Sequence, residues 1–131
     1  MNQTHSGTDI RLGSNIDPRL YSDIADSYAQ KVANSGQRDE NKPSQLRRIY
    51  DELVLLHTRV GSDAGRFEQM LPFIQMLKAK AAYAKGRKKI SSEFESMLKT
   101  LVDQVNSVAT LAQAKLFLEA FMAYYKVYKN D

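Results

Sequence analysis

Apolar residues recur three or four positions apart along most of the chain, which is the period of an amphipathic α-helix. The first stripe follows Asp17-Pro18, a pair typical of a helix N-terminus, and consists of Leu20, Ile24, Tyr28 and Val32. No segment alternates apolar and polar residues between hairpin turns. The pattern therefore predicts helices and no strands.

Two further helices are predicted between residues 44 and 87, after a charged linker. The first of them starts near Ser44 and stops at Gly61, and Asp63 can cap the next. Pro72 interrupts that next segment, so either the helix kinks there or a short helix ends and a new one begins. The sequence leaves this choice open.

Two capping signals predict the last two helices. Ser92 with Glu95 has the pattern of a capping box, and Thr110 with Gln113 repeats the signal. The last helix is rich in apolar and aromatic residues.

A chain of 131 residues has room for one domain with one core. We predict an all-α, single-domain bundle of about five helices over residues 16–131. Residues 1–15 are polar and aperiodic, and they are expected to form a flexible N-terminal tail.

Composition narrows the class of protein further. The chain has no cysteine, so disulfides and thiol chemistry are excluded. Its apolar runs are too short to span a bilayer, and residues 1–7 lack the apolar segment of a secretory signal. A cytoplasmic protein without membrane contact is therefore expected.

Residues suited to enzyme chemistry are scarce. His5 lies in the predicted tail, and His57 lies among apolar residues of the second helix, where a lone histidine is usually structural. The sequence has no histidine–carboxylate spacing of a zinc or di-iron site and no glycine-rich phosphate loop. Asp51-Glu52 is an ordinary solvent-facing pair on a helix. We therefore expect no catalysis, no metal site and no cofactor.

Positive charge is concentrated in the middle of the chain. The net charge is +4, yet residues 42–89 alone hold eleven Lys/Arg against four Asp/Glu. The flanking thirds are slightly acidic. Such a block indicates a polyanionic partner, first of all a nucleic acid, or else a solvated helix surface.

The densest part of this block is residues 78–89, with six cations and no acid among twelve residues. Helical spacing places Lys80, Tyr83 and Arg87 on one stripe, opposite the apolar face. That stripe suits a phosphate backbone with a base or ribose against the ring, although cations also favour helix C-termini. We favour the binding interpretation. The predicted RNA-binding residues are Arg47, Arg48, Lys78, Lys80, Tyr83, Lys85, Arg87, Lys88 and Lys89.

Other features point to ion pairs and to protein contacts. Arg47-Arg48 precede Asp51-Glu52 by four residues, so surface ion pairs account for these arginines adequately. Phe73 and Met76 project to the Lys80 side of their helix, where the fold itself or a neighbouring subunit would cover them. Of the three C-terminal tyrosines one or two should be buried, and an uncovered face would be a partner site. The residues predicted for subunit contact are Phe73, Met76, Tyr124, Tyr125 and Tyr128.

Three stretches carry a family resemblance: Ser44-Gln-Leu-Arg-Arg, Leu77-Lys-Ala-Lys-Ala-Ala-Tyr-Ala-Lys-Gly-Arg87 and Leu118-Glu-Ala-Phe-Met-Ala-Tyr-Tyr-Lys126. From about Pro43 onward the chain resembles the small subunit of the type III-A (Csm) CRISPR–Cas interference complex, an antiviral defence assembly. Pro43 departs from the pattern, because the family usually has a hydroxyl residue there.

The resemblance implies a non-catalytic helical subunit, present in several copies, that lines the channel where guide and target RNA pair. Its partners would be guide and target RNA, the backbone subunits, the large catalytic subunit and copies of itself. Arg47 and Arg48 match the family's helix-opening arginines. The family's basic mid-chain motif is matched by Lys78, Lys80 and Arg87. These three residues and the two arginines would contact RNA phosphates. The alternative is a helical adaptor or homodimer whose positive charge is incidental.

Overall fold

A computed structural model describes residues 9–129 of the chain. Within this range the backbone forms a π-helical turn and five α-helices, and it forms no strand. The turn is Leu20–Ile24, and the helices are α1 (Ala25–Ala33), α2 (Pro43–Val60), α3 (Ala64–Gly86), α4 (Ser92–Asp103) and α5 (Val108–Tyr128). The prediction of an all-α bundle of about five helices is confirmed.

Helix α5 is the central element of the bundle. It contacts α1, α2 and the π-helical turn, while α3 packs against α2 and α4. The ring of Phe121 on α5 lies 5.8 Å from that of Phe94 and 5.5 Å from that of Tyr125, measured between centroids. Burying each such ring contributes about 1.5–3 kcal/mol. Because α5 has neighbours on several sides, it needs apolar residues around most of its circumference.

The caps of α4 and α5 differ from the predicted ones. Ser91, not Ser92, caps α4, and its hydroxyl accepts the backbone N–H of Phe94. The capping box of α5 consists of Ser107 at the cap and Thr110 at its third position, so Thr110 is not the cap itself. Adjacent hydroxyl residues offer equivalent caps in sequence, and tertiary packing selects between them: Ser91 is buried and Ser92 is exposed.

Two prolines lie inside helices. Pro43 is the first residue of α2, a position where its missing N–H leaves no gap, and Lys42 contributes no side-chain cap. Pro72 lies within α3, which continues through it without interruption. Both Pro72 and Glu68 are exposed, so water can bond to the Glu68 carbonyl that the proline leaves without an N–H partner.

The N-terminal segment is attached to the bundle where the structure describes it. Ile10 is buried, and the backbone N–H groups of Leu12 and Gly13 each donate to a glutamine side chain of α4–α5 at 2.8 Å. The glutamines are Gln104 and Gln113, which donate in return to the carbonyls of this segment. These contacts hold residues 10–13 against the bundle, and residues 1–8 of the predicted tail lie outside the described range.

The start of the first helical segment is also displaced. Asp17 does not cap a helix at Pro18; its carboxylate accepts from the backbone and guanidinium of Arg19, and helical structure begins at Leu20. The predicted stripe is nevertheless inside: Leu20 and Ile24 are buried. Among residues 9–129 no helix is both long and apolar enough to cross a membrane.

Candidate nucleic-acid interface

A groove runs between α2 and α3, which are joined by the short connection Gly61–Asp63 and are therefore antiparallel neighbours. Gly61 ends α2 with a φ of 58°, a conformation that favours glycine, and the Asp63 carboxylate accepts two N–H groups at the start of α3. The predicted glycine stop and aspartate cap are thus confirmed. The groove has a volume of about 690 Å³.

Cations and carboxylates both line this groove. Arg48 comes from α2, whereas Lys80, Arg87 and Lys89 come from α3 and the residues just after it. Tyr83 lies among them, and Asp51 and Glu52 of α2 contribute the acids. The groove therefore offers four cationic groups against two carboxylates, together with one aromatic ring.

Tyr83 is the aromatic residue of the groove, and 66% of its surface is accessible. One helical turn later, the Arg87 guanidinium donates to the Tyr83 hydroxyl at 3.1 Å and lies 5.7 Å from the ring centroid. Such a cation–π pair at an exposed site contributes about 0.5–1 kcal/mol. The pair fixes the ring and the guanidinium side by side at the groove.

Two lysines of the basic segment form ion pairs with other helices. Lys80 pairs with Glu52 across the groove at 2.9 Å, and Lys78 donates to Asp103 of α4. The absence of acids within residues 78–89 therefore does not mean that these lysines are unpaired. Exposed pairs of this kind contribute about 0–1 kcal/mol, so a phosphate can displace the carboxylate at small cost.

Within the described residues, the arginines of α2 do not form the ion pairs with Asp51 and Glu52 that their spacing suggests. Neither Arg47 nor Arg48 forms an ion pair with any residue of the described range 9–129. Arg48 lines the groove, while Arg47 is exposed beside it. The helical i, i+4 spacing permits a pair here, but Glu52 is engaged by α3 instead.

The nine predicted RNA-binding residues therefore separate into two groups. The groove brings together Arg48, Lys80, Tyr83, Arg87 and Lys89. Four others do not line it: Arg47, Lys78, Lys85 and Lys88.

The backbone after α3 turns sharply at Lys88. The N–H of Lys88 donates to the Lys85 carbonyl at 3.0 Å, and that of Lys89 donates to the Ala84 carbonyl at 2.9 Å. These two hydrogen bonds form the pattern of a Schellman motif, in which one residue adopts the left-handed conformation. Here that residue is a lysine, with a φ of 62°, where glycine is usual.

Asn41 holds this turn against the rest of the bundle. It is buried with a φ of 61°, and its N–H donates to the Lys89 carbonyl at 2.9 Å. Its side chain accepts the N–H of Ser91 and donates to the Ser91 hydroxyl, both at 2.8 Å, and its own carbonyl accepts the hydroxyl of Tyr125. One buried residue thus joins the α1–α2 loop, the basic turn and α5.

Sequence reasoning missed Asn41, because Lys89, Ser91 and Tyr125, which it joins, lie 48–84 positions away along the chain. The only local signal is that asparagine tolerates the left-handed region better than most residues do. The acids of the groove were also missed as groove residues, since Glu52 was assigned to an ordinary solvent-facing pair.

The residues predicted for subunit contact differ in how far they are exposed. Phe73 and Met76 are 51% and 47% exposed, so the fold does not cover them. Tyr125 is fully buried in the core and is not available as a contact residue, whereas Tyr124 is half-buried. Tyr128 is exposed, and its hydroxyl donates to Asp26, a hydrogen bond that raises the pKa of Tyr128.

Potential metal-binding side chains do not cluster in the region that the structure describes. No three histidine or carboxylate side chains of residues 9–129 come close enough to hold a metal ion. His57 is half-buried on α2, and His5 lies outside the described residues.

Fold and groove together define a small all-α protein with a cationic cleft between two antiparallel helices. A family model described as Csm2 Type III-A matches residues 20–131. The chain therefore belongs to the Csm2 family, the small structural subunit of the type III-A CRISPR effector complex, which is not its catalytic subunit. No curated protein and no solved structure matches the chain.

Proposed function

We propose that this chain binds RNA inside the type III-A effector complex, and that the α2–α3 groove lines the channel in which guide and target RNA pair. The observation that carries the proposal is the convergence of Arg48, Arg87 and Lys89 on one groove. None of the three forms an ion pair within residues 9–129. Their charges are therefore available to phosphates.

The mechanism is electrostatic and independent of sequence. Base pairing between guide and target reads the sequence, so the protein needs only contacts to the sugar–phosphate backbone. A few such contacts bind weakly and lose affinity steeply as salt rises. Several copies in one complex would multiply a weak contact through effective concentration.

The partners we propose are guide and target RNA, the other Csm subunits and further copies of this chain, all in the cytoplasm. Phe73 and Met76 favour a protein contact in addition to RNA, because exposed apolar side chains on one helix face are typical of interfaces. The alternative, a helical adaptor or homodimer with incidental charge, would leave the groove unoccupied.

The test is a charge reversal in the assembled complex. The chain is co-expressed with the other Csm subunits and a guide RNA, as wild type and as Arg48→Glu/Arg87→Glu. The matched control is Lys99→Glu/Lys126→Glu, which changes the net charge equally at two exposed lysines outside the groove. Binding of complementary target RNA is measured at two salt concentrations.

We expect both variants to co-purify with the complex. The groove variant should bind target RNA at least tenfold more weakly, with a shallower dependence on salt, and the control should bind like the wild type. Equal binding by the groove variant and the wild type would assign the basic residues to solubility alone and favour the adaptor.

A further inference from the structure

The groove is not built like a surface for phosphates alone. Asp51 and Glu52 stand among its cations, and a carboxylate repels a phosphate. Carboxylates accept hydrogen bonds, and a nucleoside carries donors on its ribose and on most bases. A ligand with phosphate, donors and an aromatic face matches the three kinds of group that the groove presents.

The order of residues along α3 adds a geometric argument. Lys80 and Arg87 are seven residues apart, roughly 10 Å along the helix axis, and Tyr83 lies between them on the same side. A base stacked on the Tyr83 ring would therefore have a cation in each direction along the strand. The phosphates on its two sides can then be held by Lys80 and by Arg87.

A base that stacks on the Tyr83 ring has to be unpaired. Bases inside an A-form duplex are stacked on one another and present only their edges, so a protein ring can stack only on a base that is unpaired or turned out. The groove volume of about 690 Å³ falls within the range of clefts that bind small ligands.

On the basis of the proposed function, we infer that the groove holds one unpaired nucleotide of an RNA strand. Its base stacks on Tyr83, Arg87 and Lys80 bind the flanking phosphates, and the carboxylates of Asp51 and Glu52 accept hydrogen bonds from the nucleoside. The ion pair between Lys80 and Glu52 opens when the nucleotide enters, since each partner gains a ligand group.

The experiment uses the assembled complex with a guide RNA and bound target RNA. The fluorescent base 2-aminopurine is placed at one position at a time in either strand, and its emission reports whether that base is stacked. Wild type is compared with Tyr83→Leu, which removes the ring without changing charge, and with Tyr83→Phe, which keeps the ring. Because Tyr83 is largely exposed, neither variant should unfold the chain.

We expect Tyr83→Leu to change the emission at a small set of positions and to weaken target binding about fivefold to a hundredfold. The salt dependence should stay that of the wild type, and Tyr83→Phe should behave like the wild type. A second probe, polyphosphate, carries phosphates without bases, so its own affinity for the complex should be the same with Tyr83→Leu as with wild type.

Two results would overturn the inference while leaving RNA binding intact. The first is unchanged emission at every position of both strands in Tyr83→Leu. The second is an equal loss of RNA and polyphosphate affinity in that variant, which would indicate disturbed charge instead of lost stacking. Failure of the proposed function is seen separately, as target binding that is insensitive to Arg48→Glu/Arg87→Glu.

Discussion

Lys88 occupies a backbone conformation that suits glycine, and this gives a prediction at the scale of one residue. A non-glycine residue in the left-handed region costs roughly 1–2 kcal/mol, so Lys88→Gly should raise the free energy of unfolding, by about 0.5–1 kcal/mol after the entropy of glycine is subtracted. Lys85→Gly removes the same charge within α3 and should instead lower stability by about 1 kcal/mol. Urea denaturation of both variants measures this; a loss in both would contradict the assignment of strain to Lys88.

Glu52 gives a second prediction at this scale. Unlike most substitutions in a binding site, its replacement should strengthen RNA binding. The carboxylate pairs with Lys80 and places negative charge in the groove. Glu52→Gln keeps an oxygen that can accept a hydrogen bond from the nucleoside but removes the negative charge. It should therefore strengthen target RNA binding, by about twofold to fivefold at low salt, since exposed pairs are worth less than about 1 kcal/mol. The control is Glu68→Gln, an exposed acid of α3 outside the groove, which should bind like the wild type. Weaker binding by Glu52→Gln alone would show that the carboxylate helps to hold RNA more than it repels it.

At the scale of elements, the buried bonds of Asn41 hold the basic turn in place. Asn41→Ala removes the side-chain hydrogen bonds to the N–H and hydroxyl of Ser91, and it leaves a residue whose side chain forms no hydrogen bond in the left-handed region. We expect a loss of about 2–4 kcal/mol in stability. Asn41→Gly keeps the backbone freedom and should lose about 1 kcal/mol less. Denaturation gives the two values, and hydrogen exchange at residues 87–90 should be faster in both variants; stability equal to the wild type would refute the role of Asn41.

Helices were predictable from sequence to the extent that their signals are local. The helical period of apolar residues, the stop at Gly61 and the cap at Asp63 depend on neighbours within a few positions, and the structure has them as predicted. The cap of α4 was displaced by one residue, because the burial of Ser91 by the distant Asn41 decides between two adjacent serines. Local pattern therefore predicts the helices, and tertiary contacts decide where a helix begins when two adjacent residues could cap it.

The sequence predicted the kind of site but not all of the residues that form it. Sequence spacing placed Lys80, Tyr83 and Arg87 on one stripe, and the groove contains all three. It could not show that Glu52 reaches Lys80, 28 positions away, or that Lys78 turns toward α4. Pairing across helices depends on how α2, α3 and α4 pack, and no periodicity within one helix carries that information.

At the scale of the whole molecule, the face of α3 that carries the groove cations continues into an apolar surface. Phe73 and Met76 lie on the same side as Lys80 by helical spacing, and each exposes about half of its surface. One face would then offer RNA contacts at one end and a protein contact at the other. We expect Phe73→Glu to leave the stability of the chain within about 0.5 kcal/mol, since it alters an exposed position.

The same variant should reduce incorporation of the chain into the Csm complex, because a charge would be buried without a partner in an apolar contact. Leu116→Glu is the matched control: Leu116 is 43% exposed, lies on α5 and is not among the residues predicted for subunit contact. The measurement is the amount of each variant that co-purifies with tagged backbone subunit at equal expression. Equal recovery of Phe73→Glu and wild type would place the protein contact elsewhere on the surface and restrict this face of α3 to RNA.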